Sequence, residues 1–341
     1  ALGEATLPIG FVALMGVVGW RILWLLAAAC VPVATWLLAA RASVPAGARD
    51  RSKLVKGLEK TIAGLRPLHR TLGKPAPGDW LERYKDKEPG QTFRQYIRSR
   101  PVVPTSRRRT IYVQPLGEFT DAQGRVVKQT AEFMGLFFDL PVKVLRPIPL
   151  SAIPAKARRT HPSWGVKQIL TGYVMDDVLR PRLPGDAFAM IALTGSDLWP
   201  GKGWNFVFGQ ASLRERVGVW SINRFGDPDR GRGAYLLCLL RTLRTSTHEM
   251  GHMFSIYHCT AYECGMCGSN SLGESDRRPL ALCPQCMAKV CWGTRTDPVS
   301  RYRKLAAFCK TAGLSTEAVF YEKSLAALGA RAVASQPTGA R

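Results

Sequence analysis

The sequence predicts an α/β fold built on a twisted, mostly parallel five-stranded sheet. Five short apolar runs have the length and residue types of buried strands, and segments with helical apolar spacing lie between several of them. Strands that alternate with helices favour a parallel sheet, because parallel neighbours need a crossover connection. The chain has 341 residues, which is long enough to bury such a core.

The predicted elements follow from the apolar patterns in chain order. Strands are expected at 112–115, 141–145, 187–193, 204–209 and 217–222. Helices are expected at Asp121–Phe138, 166–179, 234–254, 297–311 and 316–328. Ahead of the sheet, a basic helical segment at 43–66 is ended by Pro67, and a short helix at 92–99 lies in a stretch rich in proline and charge.

Three of the five histidines stand at the end of the helix predicted at 234–254 and just beyond it. His248 and His252 are four residues apart, so a helix places both imidazoles on one face. Two imidazoles so placed can bind one metal ion, and Glu249 between them can reach a water on that ion. His258 reaches the same ion only if the helix ends and the chain folds back. Three protein ligands and one open position are typical of a catalytic zinc.

The histidine motif matches the extended zinc-binding pattern H-E-x-x-H-x-x-G-x-x-H, which is followed by a methionine turn, at every position except Ser255. Glycine normally occupies that position because the chain leaves the helix sharply, at positive φ. Serine is expected to cost about 1–2 kcal/mol of strain there unless the turn differs. Met266 is the candidate for the methionine beneath the metal, and the alternative is an ordinary core methionine.

Five cysteines follow His258 closely. Cys264 with Cys267 and Cys283 with Cys286 form two C-x-x-C pairs at the spacing of a zinc ribbon. On spacing alone, Cys267 is a metal ligand and Cys259 is not. Thiolate ligands with spare thiols elsewhere in the chain suit a reducing compartment.

Several stretches resemble the archaemetzincin family of zinc metallopeptidases. The resemblance is carried by the run from His248 to Cys259, by Cys264, Met266 and Cys283-Pro284-Gln285-Cys286, and by Gly268-Ser269-Asn270-Ser271-Leu272 and Asp276-Arg277-Arg278-Pro279. Upstream it is carried by Pro77-Gly78-Asp79-Trp80-Leu81, Gly90-Gln91-Thr92-Phe93 and Tyr112-Val113-Gln114-Pro115-Leu116-Gly117. It extends from about Leu68 to about Leu328 and so covers most of the chain.

This resemblance implies a metzincin-like fold with an active-site helix and a small C-terminal subdomain held by a cysteine-bound zinc. It also implies two zinc ions per chain. The catalytic ion is bound by His248, His252 and His258, and the structural ion by Cys259, Cys264, Cys283 and Cys286. We favour Cys259 over Cys267 because Cys259 directly follows a ligand of the first metal, whereas Met266 draws Cys267 towards the floor of that site.

The expected function is zinc-dependent hydrolysis of peptide bonds, with a peptide or protein as the substrate. Zinc lowers the pKa of its bound water and polarises the carbonyl, and Glu249 is the general base. The resemblance to metzincin-like folds implies that the fourth strand, at 204–209, is the antiparallel edge above the cleft. An extended peptide can pair with such an edge; the alternative is an edge shielded by the loop 210–216. The alternative is a non-catalytic, zinc-stabilised binding or scaffold protein that is anchored at a membrane.

Residues 7–40 are almost continuously apolar, and 22–40 alone is long enough to span a bilayer. The arginines and lysines that follow keep the rest of the chain in the cytosol by the positive-inside rule. We therefore expect a membrane-anchored protein with a cytoplasmic catalytic domain; the alternative is export after signal cleavage near Ala42. The expected parts are the apolar segment 1–42, a basic, proline-rich linker at 43–107 that wraps the surface, the metzincin-like catalytic domain 108–329 and a disordered tail at 330–341.

The formal net charge of +23 and the pI near 10 favour anionic neighbours such as lipid headgroups, nucleic acid or acidic peptides. No basic stripe interleaved with aromatic residues is evident, so nucleic-acid binding is not expected. We expect the protein to be a monomer.

Overall fold

The computed structural model describes residues 46–212 and 215–330. The apolar segment at 7–40, the possible cleavage site near Ala42 and the tail beyond Ala330 lie outside the described residues. Within those residues, no helix combines the length and the apolar character needed to cross a bilayer. The chain divides into two units between Lys53 and Leu54, and the second unit contains both β-sheets.

The described helices are α1 (Ala46–Leu65), α2 (Trp80–Tyr84), α3 (Phe93–Arg98), α4 (Asp121–Phe138), α5 (Thr171–Tyr173), α6 (Arg232–Met253), α7 (Leu272–Asp276), α8 (Pro284–Thr294), α9 (Pro298–Ala312) and α10 (Ser315–Ala327). The described strands are β1 (Thr110–Leu116), β2 (Val142–Val144), β3 (Arg158–Thr160), β4 (Lys167–Leu170), β5 (Ala187–Thr194), β6 (Asp197–Trp199), β7 (Gly209–Ala211) and β8 (Val217–Ser221).

The larger sheet has the strand order β2-β1-β5-β8-β7. Its first four strands run parallel, and β7 pairs with β8 in the antiparallel direction at the edge. The predicted mostly parallel, five-stranded sheet is therefore confirmed. Every residue of β1, β5 and β8 is buried, since helices cover one face of the sheet and further chain covers the other. This explains why these strands are nearly continuous apolar runs in the sequence.

The crossover helix α4 begins and ends at strong local signals. Thr120 and Gln123 form a reciprocal capping box at its first turn, and Asp139 ends it in the left-handed conformation, with φ of 51°. Its apolar face packs against α6, the helix that carries the histidines. The main core also includes the buried faces of α8, α9 and α10, which close the fold after the cysteines.

The prediction of one helix over 166–179 is wrong in its first part. Residues Lys167–Leu170 form β4, which belongs to a second, three-stranded sheet of order β3-β4-β6. The helical part starts at Thr171 and continues as a π-helix over Val174–Leu179. The apolar pattern of a run this short does not distinguish a strand from a buried helix. These residues form a strand because they pair with β6.

The edge strand is also displaced from its predicted position at 204–209. The antiparallel edge is Gly209–Ala211, and Val207 contributes only an isolated bridge to Leu198. The alternation of Trp204, Phe206 and Phe208 looks like a strand pattern. Phe206 instead packs beneath the Arg224 guanidinium, 3.7 Å from its ring centre, and edge-on to Phe208.

Candidate metal centre and active site

Helix α6 brings two of the three histidines to the centre of the described fold. It packs against α4, against the edge strand β7 and against its neighbour β8. Its residues His248 and His252 lie on one face, and their imidazole centres are 4.7 Å apart. The rigid helix therefore sets the separation of these two side chains.

A left-handed turn folds the chain back after α6. Ser255 has φ of 62°, and the N–H of Ile256 donates to the carbonyl oxygen of Gly251 at 3.1 Å. This hydrogen bond is typical of a helix that ends by reversing its chain. The reversal places the His258 imidazole 5.2 Å and 4.8 Å, centre to centre, from the two helical imidazoles.

Ser255 occupies the conformation that glycine would prefer. Its side chain offsets part of the strain, because Oγ accepts a hydrogen bond from the N–H of Val102 at 3.0 Å. Its carbonyl oxygen accepts a weaker bond from Nε2 of Gln91 at 3.4 Å. The turn therefore keeps its path although serine stands where the motif has glycine.

Each of the three imidazoles is oriented by an oxygen acceptor at Nδ1. The acceptors are the carbonyl oxygen of Gly265, 2.9 Å from His248, the carbonyl oxygen of Ile256, 2.8 Å from His252, and Oε1 of Glu88, 2.7 Å from His258. Because these oxygens accept, Nδ1 carries the proton and Nε2 keeps its lone pair. Such acceptors fix the tautomer and the ring orientation that a metal-binding histidine needs.

The ligand atoms of the three histidines all lie within 4.8 Å of one another, and Nε2 of His248 is 3.1 Å from Nε2 of His252. Burial lowers the pKa of His252 to about 4 and that of His248 well below its ordinary value. His248 and His252 are therefore neutral at neutral pH, and their Nε2 lone pairs point at one place, where they repel each other unless a cation is bound. Zinc fits this donor set, which leaves room for a further ligand.

Glu249 lies beside this cluster at the wall of a pocket of about 90 Å³ that also contacts His248. Burial raises the pKa of its carboxyl group to about 7. The edge strand passes directly against it, since a side-chain carbon built at Gly209 would lie 3.2 Å from Cγ of Glu249. A side chain at this position of β7 would therefore crowd Glu249, and the edge strand lies directly beside the carboxyl-bearing side chain.

Met266 is fully buried under the C-terminal part of α6. Its thioether lies so close to Gly251 that any side chain at that position would overlap the sulfur. Its carbonyl oxygen accepts the N–H of Cys259 at 2.8 Å. Met266 thus packs beneath the histidine face and is also bonded to the start of the cysteine segment.

Four cysteines form a second cluster behind the histidines. The Sγ atoms of Cys259, Cys264, Cys283 and Cys286 all lie within 4.8 Å of one another, and all four residues are buried. Backbone N–H groups point at these sulfur atoms: Cys264 Sγ accepts from Cys283 at 3.1 Å, and Cys283 Sγ, at the N-cap of α8, accepts from Cys286 at 3.5 Å.

The electrostatics of the thiol cluster call for a cation. Hydrogen bonds from Cys264 and the neighbouring thiols hold the pKa of Cys259 far below its ordinary range. Burial raises the pKa of Cys264, and the hydrogen bond with Cys259 raises that of Cys283. Four buried thiolates cannot share this space without a bound cation, and a set of four clustered cysteines is a usual donor set of a structural zinc.

Cys267 lies outside the four-thiol cluster. Its thiol donates to the carbonyl oxygen of Tyr262 at 3.2 Å, and its side chain lines the pocket beside His248. The arrangement expected from C-x-x-C spacing alone is therefore not the one the fold adopts, because Met266 turns the chain between Cys264 and Cys267 towards α6.

Sequence reasoning did not single out Glu88 as a site residue. Its carboxylate accepts from Nε1 of Trp80 at 2.6 Å as well as from His258. The Trp80 ring lies edge-on to the His258 imidazole, 5.2 Å between centres. Glu88 is 170 positions from His258, and no local pattern links them, so only the packing of the proline-rich segment on the metal site reveals the pair.

The fold and the site together are those of a zinc metallopeptidase. They comprise the mostly parallel sheet with an antiparallel edge, the long helix with its two histidines and the separate thiol cluster. Residues 175–291 match the model of peptidase family M54. The chain is 33% identical over 297 residues to archaemetzincin-2 of Macaca fascicularis and to archaemetzincin-2 of Homo sapiens, in each case covering 74% of this chain and 81% of the relative. The crystal structure of an archaemetzincin from Methanopyrus kandleri is 28% identical and covers 57% of this chain and 99% of that one, with a TM-score of 0.44.

The chain belongs to the archaemetzincin family, as its sequence motifs predicted. It is therefore a hydrolase that acts on peptide bonds, and the prediction of a zinc-dependent metallopeptidase is confirmed. The histidine and cysteine clusters are compatible with one zinc ion each.

Proposed function

We propose that His248, His252 and His258 hold a catalytic zinc, that Glu249 is the general base and that the four clustered cysteines hold a second, structural zinc. The observation that carries this proposal is the orientation of the three imidazoles. All three Nδ1 atoms are engaged by oxygen acceptors, which leaves three Nε2 lone pairs for one ion. A bound zinc supplies a Lewis acid that polarises the substrate carbonyl and activates water.

The side chains of the protein perform the remaining steps. With a pKa of about 7, the Glu249 carboxylate can take a proton from the attacking water and release it to the leaving amine nitrogen at neutral pH. The edge strand β7 passes against Glu249, and no described strand pairs with its outer edge. An extended peptide that adds to this edge would present its backbone to the histidines.

The test is the Glu249→Gln variant, compared with wild type on a peptide library and by zinc analysis. We expect two zinc ions per chain in both proteins and a loss of about 10²–10⁴-fold in kcat for the variant. The exposed residue Glu132 on α4 provides a matched control, and Glu132→Gln should keep the full rate. Equal rates in wild type and the Glu249 variant would remove this residue from the mechanism.

The location and assembly of the chain belong to the same proposal. The apolar run at 7–40 and the basic residues after it support a membrane anchor with the catalytic domain in the cytosol. We further propose that the protein is a monomer and that it does not bind nucleic acid, since its sequence has no basic stripe interleaved with aromatic residues. Full-length protein should remain with membranes after an alkaline carbonate wash, whereas a chain without residues 1–42 should not. Secretion of a chain cut near Ala42 would favour export instead.

A further inference from the structure

The pocket beside Glu249 has a polar, cationic wall. It lies between the middle of α6 and the segment 265–279, and it has room for one short side chain. Besides His248 and Glu249, its wall includes Arg244, Arg278, Thr245, Ser269 and Ser275. Two arginines and three hydroxyl-bearing residues therefore line a space that adjoins His248 and Glu249.

The two arginines are mostly buried and incompletely bonded. The side chain of Arg244 is 12% exposed and that of Arg278 is 15% exposed. In both, the Nε–H group is buried and has no hydrogen-bond partner among the described residues. A buried donor without a partner is costly, more so on a charged group. Burial also lowers the pKa of Arg244, as expected for a guanidinium that lacks full solvation.

The acids near these arginines do not line the pocket. Asp276 divides its oxygens between Arg241, at 2.6 Å, and Arg244, at 3.3 Å. Glu274 is 3.7 Å from Arg278, and its oxygens accept the backbone N–H groups of Trp80 and Asn270 instead.

Arg244 and Arg278 also line a second cavity of about 440 Å³, whose wall contains the acids Glu263, Asp276 and Glu317. Apart from Glu249, the pocket wall thus contributes positive charge and hydrogen-bond donors. The natural partner of such a wall is a carboxylate, which can accept from a guanidinium at two oxygens.

We propose that Arg244 and Arg278 form a subsite that selects substrates with a carboxylate next to the scissile bond. The carboxylate comes from an aspartate or glutamate side chain or from the free C-terminus of a short peptide. This inference rests on the proposed function, because the pocket is a substrate subsite only if the adjoining histidines and Glu249 form the active site. Arg244 and Arg278 are thus specificity-determining residues for the peptidase reaction.

The experiment compares matched peptides on the zinc-loaded enzyme. One series carries glutamate or glutamine at each position that flanks the cleaved bond and ends in an amide. The other series is neutral and ends one residue beyond the cleaved bond, as either acid or amide. We expect kcat/KM for the acid to exceed that for its amide partner by about 10²-fold in one series. The series that shows the preference identifies the source of the carboxylate.

Variants locate the preference in the pocket. Arg278→Gln and Arg244→Gln should each reduce the ratio of acid to amide at least tenfold, and Arg278→Lys should retain part of it, since the charge remains. Arg303→Gln, at an exposed position of α9, is the matched control and should leave the ratio unchanged. Thermal melting establishes that each variant is folded.

Binding provides a readout that does not depend on turnover. Calorimetric titration of the zinc-loaded Glu249→Gln protein should give a lower Kd for the acid peptide than for its amide partner, and Arg278→Gln in that background should abolish the difference. Cleavage and binding without any acid preference would overturn the inference and leave the peptidase function intact. Absence of cleavage of every peptide by wild type would instead contradict the proposed function, while the titration still decides the carboxylate subsite.

Discussion

The histidine cluster and the cysteine cluster are neighbours in the fold but differ in how they are enclosed. All four clustered cysteines are buried, with exposures between 0% and 7%, and backbone N–H groups point at their sulfur atoms. The three histidines are only half-buried, and a pocket opens beside His248. Four protein donors close one site, and three donors leave the other open. This difference in enclosure supports the proposal that the cysteines hold a structural ion and the histidines a catalytic one.

The two clusters also differ in what supports them. The thiols of Cys259 and Cys264 come from loops, and those of Cys283 and Cys286 from the N-cap and first turn of α8, so these segments depend on the cluster for their position. Two of the histidines stand on α6, which is packed against α4 and the sheet without any help from a metal. Loss of the thiol-bound ion should therefore affect folding, whereas loss of the histidine-bound ion should affect chemistry.

Of the changes that test this difference between the two clusters, substitution of a thiol ligand should have the largest effect on stability. Cys286→Ser removes one donor from a site whose zinc contributes about 10–16 kcal/mol of apparent binding energy in comparable small sites. We expect the free energy of unfolding to fall by more than about 4 kcal/mol and one zinc to be lost. Urea unfolding and zinc analysis measure both. Cys267→Ser, in the same segment but outside the cluster, should keep both ions; the same losses there would mean that Cys267 is a ligand.

A chelator should separate the two sites. Dipicolinate should remove one zinc per chain and abolish peptide hydrolysis, because the open vertex of the histidine site lets a competing ligand approach the ion. The second ion should stay, and the melting temperature should change by no more than a few degrees. Simultaneous release of both ions, together with unfolding, would show that the sites are not independent in stability.

Weakening the support of a single histidine should have a smaller effect. Glu88→Gln replaces the carboxylate that holds Nδ1 of His258, and such changes typically reduce metal affinity about 10–100-fold. Competition with a fluorescent zinc indicator should detect this at the histidine site alone. Glu132→Gln is again the control. An affinity within twofold of wild type would mean that the turn after α6, and not Glu88, orients His258.

The smallest expected effect concerns Ser255. Glycine at this position would relieve about 1 kcal/mol of strain at φ of 62°, but it would lose the hydrogen bond from Val102, worth a similar amount. The free energy of unfolding of Ser255→Gly should therefore stay within about 1 kcal/mol of wild type, as measured by urea denaturation. A gain above about 2 kcal/mol would show that the serine is tolerated at a real cost.

Local patterns predicted the parts of the site that lie close together in the sequence. The spacing of His248 and His252 reflects the period of one helix, and the buried strands β1 and β5 are continuous apolar runs. Glu88 and the pocket arginines were not predicted as site residues, because their roles depend on which surfaces pack together. The second sheet was not predicted because the segment Lys167–Leu170 is too short for its hydrophobic periodicity to distinguish a strand from a helix.

The peptide bond between His258 and Cys259 joins the last imidazole of one cluster to the first sulfur of the other. In a chain that has not yet bound an ion at its sulfur atoms, this bond is held on one side only, and the position of His258 then depends on the turn at Ser255 and on Glu88 alone. Metal loading should therefore be sequential, with the enclosed centre filled before the exposed one becomes competent. Scarcity of zinc would then switch hydrolysis off by way of folding, and restored supply would bring activity back only after the segment 259–286 has closed.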